Sequence, residues 1–412
     1  MTMNSKRRRV HDRLAGLPGV RAVRRPVNPG ADEHFDLYYV RTGRKSATPV
    51  VIIPGGPGVA SIQHYRWLRR RAAAAGFDVI MIEHRGIGMS RHTDAGSDLP
   101  PAAITVEQVI DDIAAVLDDA GVHRAVLYGT SYGSYIAAGF GVRHPDRVAA
   151  MVLDSPLLST TDIEVMRTAI RGLLWEGADP ETAGLAPKVR RLVADGAFAT
   201  SGGQLAGLVY GLGGAELLDR QLELLLHGRT RVWSGWAWLG RLATRKTPYH
   251  NEVDLVGRIA FRELNYAGVP DGLPLDPALD MAAMARSAKF YEPFDAEPYD
   301  LVAEMPKFGW PTVVVSGGRD LTTPPAVAER IAALVPGSVL VRMPTAAHSV
   351  LDTRERAAFA VIRAVCDGAA EQLSATAAEL DALPARAVIR VAVTAISAAT
   401  VLEAALPRPS AT

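Results

Sequence analysis

The sequence predicts an α/β protein whose mostly parallel sheet is covered by helices on both faces. Short β-branched runs alternate with helical patterns along both ends of the chain, and most residues in these runs are apolar. Such alternation is typical of βα units. Continuous apolar strands indicate a parallel sheet that is buried on both faces. In the middle of the chain the runs stop, which indicates an insertion.

The order of these patterns predicts one core domain that is split by a helical insert. Strands are predicted at 36–40, 50–53, 78–82, 125–128, 149–153, 312–316 and 338–343, and helices at 106–120 and 132–144. Between about residues 156 and 307 the β-branched runs are absent, and Leu, Ala, Arg and Trp predominate. We therefore predict a core over 36–156 and 308–366, a helical cap over 157–307, and a C-terminal helical extension over 367–412.

Composition favours a small-molecule partner over a nucleic acid. The 412 residues are 48% hydrophobic and carry a formal net charge of +1, so neither disorder nor a general attraction to polyanions follows. The single cysteine, Cys366, excludes an intrachain disulfide and fits a reducing compartment, so we expect a cytoplasmic protein.

The two ends of the chain indicate whether the protein is secreted, inserted in a membrane or oligomeric. The basic arm 1–9 has no apolar segment behind it, so we expect no secretory signal and a disordered, solvated arm. In the apolar stretch 385–406, Arg390 and Glu403 leave too short an uncharged run to span a bilayer, which takes ~20 residues. We expect no stable membrane insertion. A helix packed on the body is expected there, with a homo-oligomer through the cap or C-terminal helices as a possibility.

The segment 126–134, Val-Leu-Tyr-Gly-Thr-Ser-Tyr-Gly-Ser, predicts a nucleophile. An apolar strand runs into Gly-x-Ser-x-Gly and then directly into a helical pattern, which is the context of a nucleophile elbow. The flanking Gly129 and Gly133 leave room for the helix to pack closely. Ser131 is therefore the candidate nucleophile; the alternative is an ordinary glycine-rich turn.

A general base and an orienting acid are expected later in the chain. His348 follows the last predicted strand, where an imidazole can reach the serine hydroxyl. Asp320 follows the preceding strand after two glycines, between serine and histidine in chain order. Asp154, at the end of an earlier strand, is the alternative acid and otherwise a loop-fixing residue. His84 precedes the serine and is not expected to act as a base.

Backbone donors for an oxyanion are expected in the turn Pro-Gly-Gly-Pro-Gly at 54–58. We expect the amide of Gly56, in a loop shaped by Gly55, to act together with the amide of Tyr132. A phosphate-binding loop is the alternative, but no Gly-Lys-Ser/Thr follows. The chain also lacks a His-Glu-x-x-His motif, so we expect neither a metal nor a cofactor.

Taken together, these segments resemble the α/β-hydrolase superfamily, and within it the prolyl aminopeptidase-like serine peptidases (proline iminopeptidase-like), over most of 36–366. That family carries His-Gly-Gly-Pro-Gly at the oxyanion turn, where this chain has Pro54 in place of the histidine. It carries Gln-Arg-Gly-x-Gly-x-Ser in a later loop, where this chain has His84 in place of the glutamine. The resemblance implies an α/β-hydrolase fold with a helical cap after the sixth core strand, and a triad of Ser131, Asp320 and His348.

The resemblance also implies that cap carboxylates bind the free amine of a peptide. Glu263, in a segment similar to the family's cap pattern, is the candidate, although it could equally pair with a basic neighbour such as Arg262. Trp236 and its neighbouring tryptophans lie in the same insert and either face the pocket or pack the cap on the core.

These observations predict a serine hydrolase that acts through an acyl-enzyme. The expected substrate is a small molecule or short peptide with an N-terminal proline or small residue. A carboxylesterase or thioesterase with the same triad is the first alternative. A binding protein that keeps the fold without turnover is the second.

Overall fold

An eight-stranded sheet organises the protein. The computed structural model describes residues 3–198, 202–287 and 291–407. The strands are β1 Val20–Pro26, β2 His34–Thr42, β3 Val50–Ile53, β4 Val79–Ile82, β5 Ala125–Thr130, β6 Val148–Asp154, β7 Thr312–Gly317 and β8 Val339–Met343. Their order is β1-β2-β4-β3-β5-β6-β7-β8, with β2 antiparallel to both neighbours and the other pairs parallel. The predicted fold class, a mostly parallel sheet with helices, is confirmed.

Helices follow most of the strands and fill the long central insert. They are α1 Ser5–Ala15, α2 Arg66–Ala74, α3 Val106–Asp119, α4 Tyr132–Arg143, α5 Asp162–Arg171, α6 Leu185–Ala194, α7 Gly202–Leu226, α8 Arg231–Thr244, α9 Val253–Arg258, α10 Pro277–Ser287, α11 Leu301–Glu304, α12 Pro325–Leu334, α13 Val350–Thr353, α14 Glu355–Cys366, α15 Ala377–Ala382 and α16 Ala387–Ala405.

Both faces of the central strands are buried, as their unbroken apolar runs require. In β5, Leu127 packs in one core cluster while Val126 and Tyr128 pack in another. Successive side chains of a strand point to opposite faces, so the two clusters lie on opposite sides of the sheet. A third cluster, built around Leu218, Leu222 and other residues of α5 to α8, packs the insert on itself.

The basic N-terminal arm does not match its expectation, because most of it is helical. Helix α1 begins after Asn4, whose side chain accepts a hydrogen bond from the amide of Arg7. The guanidinium of Arg7 is buried and pairs with the buried carboxylate of Glu252 at 2.6 and 3.0 Å. It also donates to the carbonyl of Gly88. Arg7 therefore attaches the N-terminal helix to the core, which the basic composition of the arm did not predict.

The C-terminal extension continues as helices past α14. Helix α16 has a mean hydropathy of 1.7 over its most apolar 18 residues, of which 11% are buried. By length and composition alone, among the described residues, it is the one helix that could cross a membrane. Here it lies on the insert, in contact with α7 and α8.

Removing the Arg7 side chain is expected to destabilise the fold. The Arg7→Ala variant removes the closer cation from the buried Glu252 carboxylate and leaves Arg91 at 3.7 Å, which costs up to about 3 kcal/mol of unfolding free energy. Arg8→Ala removes an exposed arginine from the same helix and should change it by less than about 0.5 kcal/mol. Urea denaturation of both variants measures the difference. Equal stabilities would show that the buried pair contributes nothing.

Candidate active site

The turn at Ser131 connects β5 to α4 in a conformation that few residues adopt. Ser131 has φ 52° and ψ −124°, and such positive-φ backbone is strained for a residue with a side chain. Glycines make the turn possible. A Cβ at Gly133 would overlap the carbonyl oxygen of Ile53, and one at Gly129 would overlap the carbonyl of Gly133. The glycines of the motif therefore allow strand and helix to approach closely, as predicted from the sequence.

Ser131, His348 and Asp320 form one hydrogen-bonded chain. The Nε2 atom of His348 lies 3.0 Å from Oγ of Ser131, and its Nδ1 atom lies 2.8 Å from Oδ2 of Asp320. The structure thus brings together the three residues that were predicted from separate parts of the sequence. This arrangement leaves Nε2 able to take the hydroxyl proton while Nδ1–H stays bonded to the carboxylate.

The carboxylate of Asp320 is held from several sides. Its Oδ1 atom accepts hydrogen bonds from the amides of Thr322 and Thr323, and its Oδ2 atom accepts one from the Thr323 hydroxyl. Burial alone would raise the pKa of Asp320, but the facing His348 and these donors leave it below its ordinary value. Asp320 is therefore a fixed anion.

The charge of Asp320 acts on the histidine in turn. Burial lowers the pKa of His348, but the charge and hydrogen bond of Asp320 outweigh it, with further contributions from Asp154 and Asp352. The net pKa of His348 lies above its ordinary value of 6.5. The base is consequently neutral, and able to accept a proton, only at pH values above that raised pKa.

Asp154, the alternative acid, fixes the loop that carries the histidine. Its two carboxylate oxygens accept hydrogen bonds from the amides of Val350 and Leu351, at 3.0 and 2.9 Å, and from the Tyr128 hydroxyl. His348 bonds to Asp320 and not to Asp154. The structure therefore places Asp154 in the loop-fixing role that the sequence left open.

The turn predicted to bind an oxyanion lies directly against the serine. A Cβ at Gly55 would lie 3.2 Å from Cβ of Ser131, so only glycine fits there without displacement. Gly56 has φ 135°, in the region that favours glycine, and lines the same cavity as Ser131. Tyr132 is the first residue of α4, and its amide lacks an intrahelical acceptor. Both residues predicted to bind an oxyanion thus lie beside the serine.

A cavity of about 340 Å³ opens at Ser131 and His348. Its wall is mostly apolar and comes from the insert and from the loops after β6 and β7. The lining residues are Gly56, Ser131, Tyr135, Leu157, Ser159, Asp162, Ile163, Met166, Leu264, Asn265, Tyr266, Met281, Met284, Thr322, Thr323 and His348. Concave, mainly apolar cavities with a few polar groups are typical of small-molecule sites.

Neither substrate-binding side chain predicted in the insert reaches this cavity. Trp236 is 3% exposed and packs inside the insert's own apolar cluster, so the interpretation as a packing residue is the one that the structure supports. Glu263 is buried behind the cavity wall, where one carboxylate oxygen accepts a hydrogen bond from the amide of Val106. His84 is also buried away from the cavity and does not contact the triad.

Sequence reasoning missed the carboxylate that does line the cavity. Asp162 begins α5, and its Oδ2 atom accepts hydrogen bonds from the amides of Leu158 and Ser159. Burial raises the pKa of Asp162 to about 6. The pattern Ser-Thr-Thr-Asp at 159–162 indicates a helix start, but nothing in it distinguishes a capping acid from one that faces a cavity.

The pH dependence of turnover should report the Asp320–His348 pair. Because the pKa of His348 is raised, kcat/KM of the wild type should fall as the pH drops through a value above 6.5. Asp320→Asn removes the anion, so the fall should move to lower pH and kcat should decrease by about 10⁴-fold. Rate profiles between about pH 5 and 9 measure both. An unchanged acid limb in Asp320→Asn would contradict the assigned pairing.

Comparisons with known proteins agree with this architecture. A family model described as "alpha/beta hydrolase fold" matches residues 48–212. A "Proline iminopeptidase" of Neisseria meningitidis serogroup A is 26% identical over 134 residues, which are 32% of this chain and 41% of the relative. An "Epoxide hydrolase A" of Mycobacterium tuberculosis is 31% identical over 132 residues, 31% of this chain and 38% of the relative. The alignments thus span about two-fifths of these relatives.

A solved structure, the proline iminopeptidase of Mycobacterium smegmatis, covers 87% of this chain and 100% of that chain with a TM-score of 0.48 at 15% identity. The family match and the sheet order together confirm the resemblance stated from the motifs. The chain is an α/β-hydrolase-fold protein that is similar to the proline iminopeptidases.

Proposed function

We propose that the protein is a serine hydrolase that works through an acyl-enzyme. The observation that carries the proposal is the hydrogen-bonded chain of Ser131, His348 and Asp320 at the mouth of a cavity. A serine at a strained strand-to-helix turn, with a histidine Nε2 3.0 Å away, is suited to attack a carbonyl carbon.

The proposed reaction has two stages, acylation of Ser131 and hydrolysis of the acyl-enzyme. His348 takes the Ser131 proton as the serine oxygen bonds to the carbonyl carbon, and the Gly56 and Tyr132 amides donate to the oxyanion. Protonated His348 then gives its proton to the departing amine or alcohol as the bond to the carbonyl carbon breaks. Water, deprotonated by the same histidine, attacks the acyl-enzyme and releases the acid and free Ser131. No step needs a cofactor.

For the substrate, we propose a peptide or amide with a free N-terminal amine on proline or a small residue. Asp162 supports this because it places one carboxylate in a cavity that is otherwise mostly apolar. With a pKa of about 6 it is ionised at pH 7 and can pair with an ammonium group. The similarity to relatives named proline iminopeptidase points the same way. In this proposal Asp162 takes the role first expected for Glu263.

The alternative substrate is an acyl ester or thioester. It is favoured by Met166, Met281 and Met284, which line the cavity with other apolar side chains. Methionines adapt their shape to irregular apolar groups. Epoxide hydrolysis, named for one relative, is not proposed, because epoxide hydrolases of this fold have an aspartate where this chain has Ser131.

Hydrolysis rates of arylamides and of esters distinguish the two proposed substrate classes. Wild-type protein should hydrolyse proline and alanine p-nitroanilides, and acetylation of the substrate's amine should abolish the reaction, because Asp162 then has no cation to bind. Ser131→Ala should lower either turnover by about 10⁴-fold or more. Initial rates of nitroaniline and nitrophenol release, followed by absorbance, measure both.

Serine-dependent hydrolysis of p-nitrophenyl esters alone would replace the peptidase proposal with the esterase. Turnover of neither substrate class would leave the non-catalytic binding protein.

The Asp162→Asn variant tests amine recognition separately from chemistry. It keeps the side-chain oxygen that accepts from Leu158 and Ser159 but removes the charge. KM for proline p-nitroanilide should rise at least about 10-fold, whereas kcat/KM for p-nitrophenyl butyrate should stay within about 2-fold. In the wild type, KM for the arylamide should rise as the pH falls through about 6, where Asp162 becomes protonated.

Glu263→Gln is the matched control, since it neutralises a buried carboxylate outside the cavity. It should leave KM for both substrates unchanged. A rise in the arylamide KM for Glu263→Gln but not for Asp162→Asn would return amine binding to Glu263.

A further inference from the structure

Helix α16 presents a continuous apolar seam to solvent. The seam consists of Val388, Val391, Ala395, Ala398, Leu402 and Ala405, and all six residues are exposed. Val388, Val391 and Leu402 are 66–68% exposed. The spacings of three, four, three, four and three residues are those of the a and d positions of a coiled coil. Apolar residues at these spacings form a stripe that a second helix with the same spacing can cover.

The opposite face of α16 is fixed to the insert. Gln221 donates to the hydroxyl of Thr400, and the carboxylate of Glu403 accepts from the first two amides of α8, at Arg231 and Val232. Val393 also packs on the insert's apolar cluster. These contacts determine the rotation of α16, so the seam cannot turn inwards without breaking buried hydrogen bonds.

We propose that the seam pairs with the seam of a second copy of this chain, in antiparallel orientation about a two-fold axis. An axis between residues 396 and 397 places Val391 opposite Leu402 of the other copy and Ala395 opposite Ala398. Each a position thereby meets a d position. The small alanines lie at the centre, where they allow the helices to approach to about 8 Å.

The charges on α16 favour an antiparallel pair. The residues flanking the seam, Ala392, Thr394, Ala399 and Val401, carry no charge, so two identical seams can meet without repulsion between their flanks. In a parallel pair the two Arg390 side chains would lie side by side. In the antiparallel pair they are about 20 Å apart, beyond the ~8 Å screening length of physiological salt, and the helix dipoles oppose each other.

The available surface fits a reversible dimer. A 19-residue helix is about 28 Å long and about 10 Å wide. Helix α8, which contacts α16, also exposes Trp238, Leu239 and Leu242. A second copy that covers both helices would bury about 500 Å² per partner, somewhat less than the ~800 Å² per partner of a standard interface. A dissociation constant in the micromolar range is therefore expected.

Sedimentation equilibrium of the full chain tests the proposal. The wild type should reach twice the chain mass between about 1 and 100 µM. Ala398→Glu places two carboxylates at the centre of the seam and should weaken the dimer at least about 100-fold. Ala404→Glu adds the same charge to the same helix outside the seam and should remain dimeric. Circular dichroism shows that both variants are folded.

Three results would overturn the proposal. The first is a wild type that is monomeric at about 100 µM. The second is a dimer that Ala398→Glu and Ala404→Glu retain equally, which would place the interface elsewhere. The third is a monomer that co-sediments with phosphatidylglycerol vesicles through α16, since the seam would then lie on lipid. None of these results depends on the hydrolase activity.

Discussion

The strained turn at Ser131 is the constraint on which the site depends. Its positive φ places the hydroxyl above the carboxyl ends of the strands, but the strain must be held by surrounding contacts. The amide of Ser131 donates to the carbonyl of Asp154, and the hydroxyl of Ser134 donates to the carbonyl of Ser131. The neighbouring glycines then let α4 and the oxyanion turn pack against it. The nucleophile, the donors and the helix therefore share one local geometry.

Buried carboxylates hold the loops around this turn. Asp154 fixes the loop of the histidine, as its bonds to two amides show. Glu83, fully buried at the end of β4, accepts from the amides of Ser61 and Ile62 beyond the oxyanion turn. Glu252 accepts from the amide of Gly88 and pairs with Arg7. Each carboxylate joins segments that are distant in the chain, so these bonds hold the loops of the site in position.

The C-terminal extension joins the histidine loop to the insert. The Arg386 amide donates to the carbonyl of Thr353, in the short helix that follows His348. At the other end of α16, Glu403 caps α8 of the insert. The extension thus connects the core to the cap across the outside of the molecule, which gives residues beyond the family motifs a structural role.

The features predicted correctly from the sequence are those that depend on residues close together in the chain. Strand β3 coincides with its prediction at 50–53, and the elbow motif identified the serine turn, because glycines and apolar runs act locally. Sequence patterns did not reveal that Arg7 is buried or that Asp162 lines the cavity. Each of these depends on partners far along the chain, such as Glu252 for Arg7. For Glu263 and Trp236 the sequence left two roles open, since a helical insert can turn either face to the cavity, and the structure places both side chains outside the cavity lining.

A fluorophosphonate probe tests the central claim, which is that His348 and Asp320 activate Ser131. Mass spectrometry of the labelled protein should find one adduct, on Ser131, in the wild type. Ser131→Ala should not be labelled, and His348→Ala should react at least about 100-fold more slowly, because its serine lacks a base. Equal labelling of wild type and His348→Ala, or an adduct on another residue, would contradict the account.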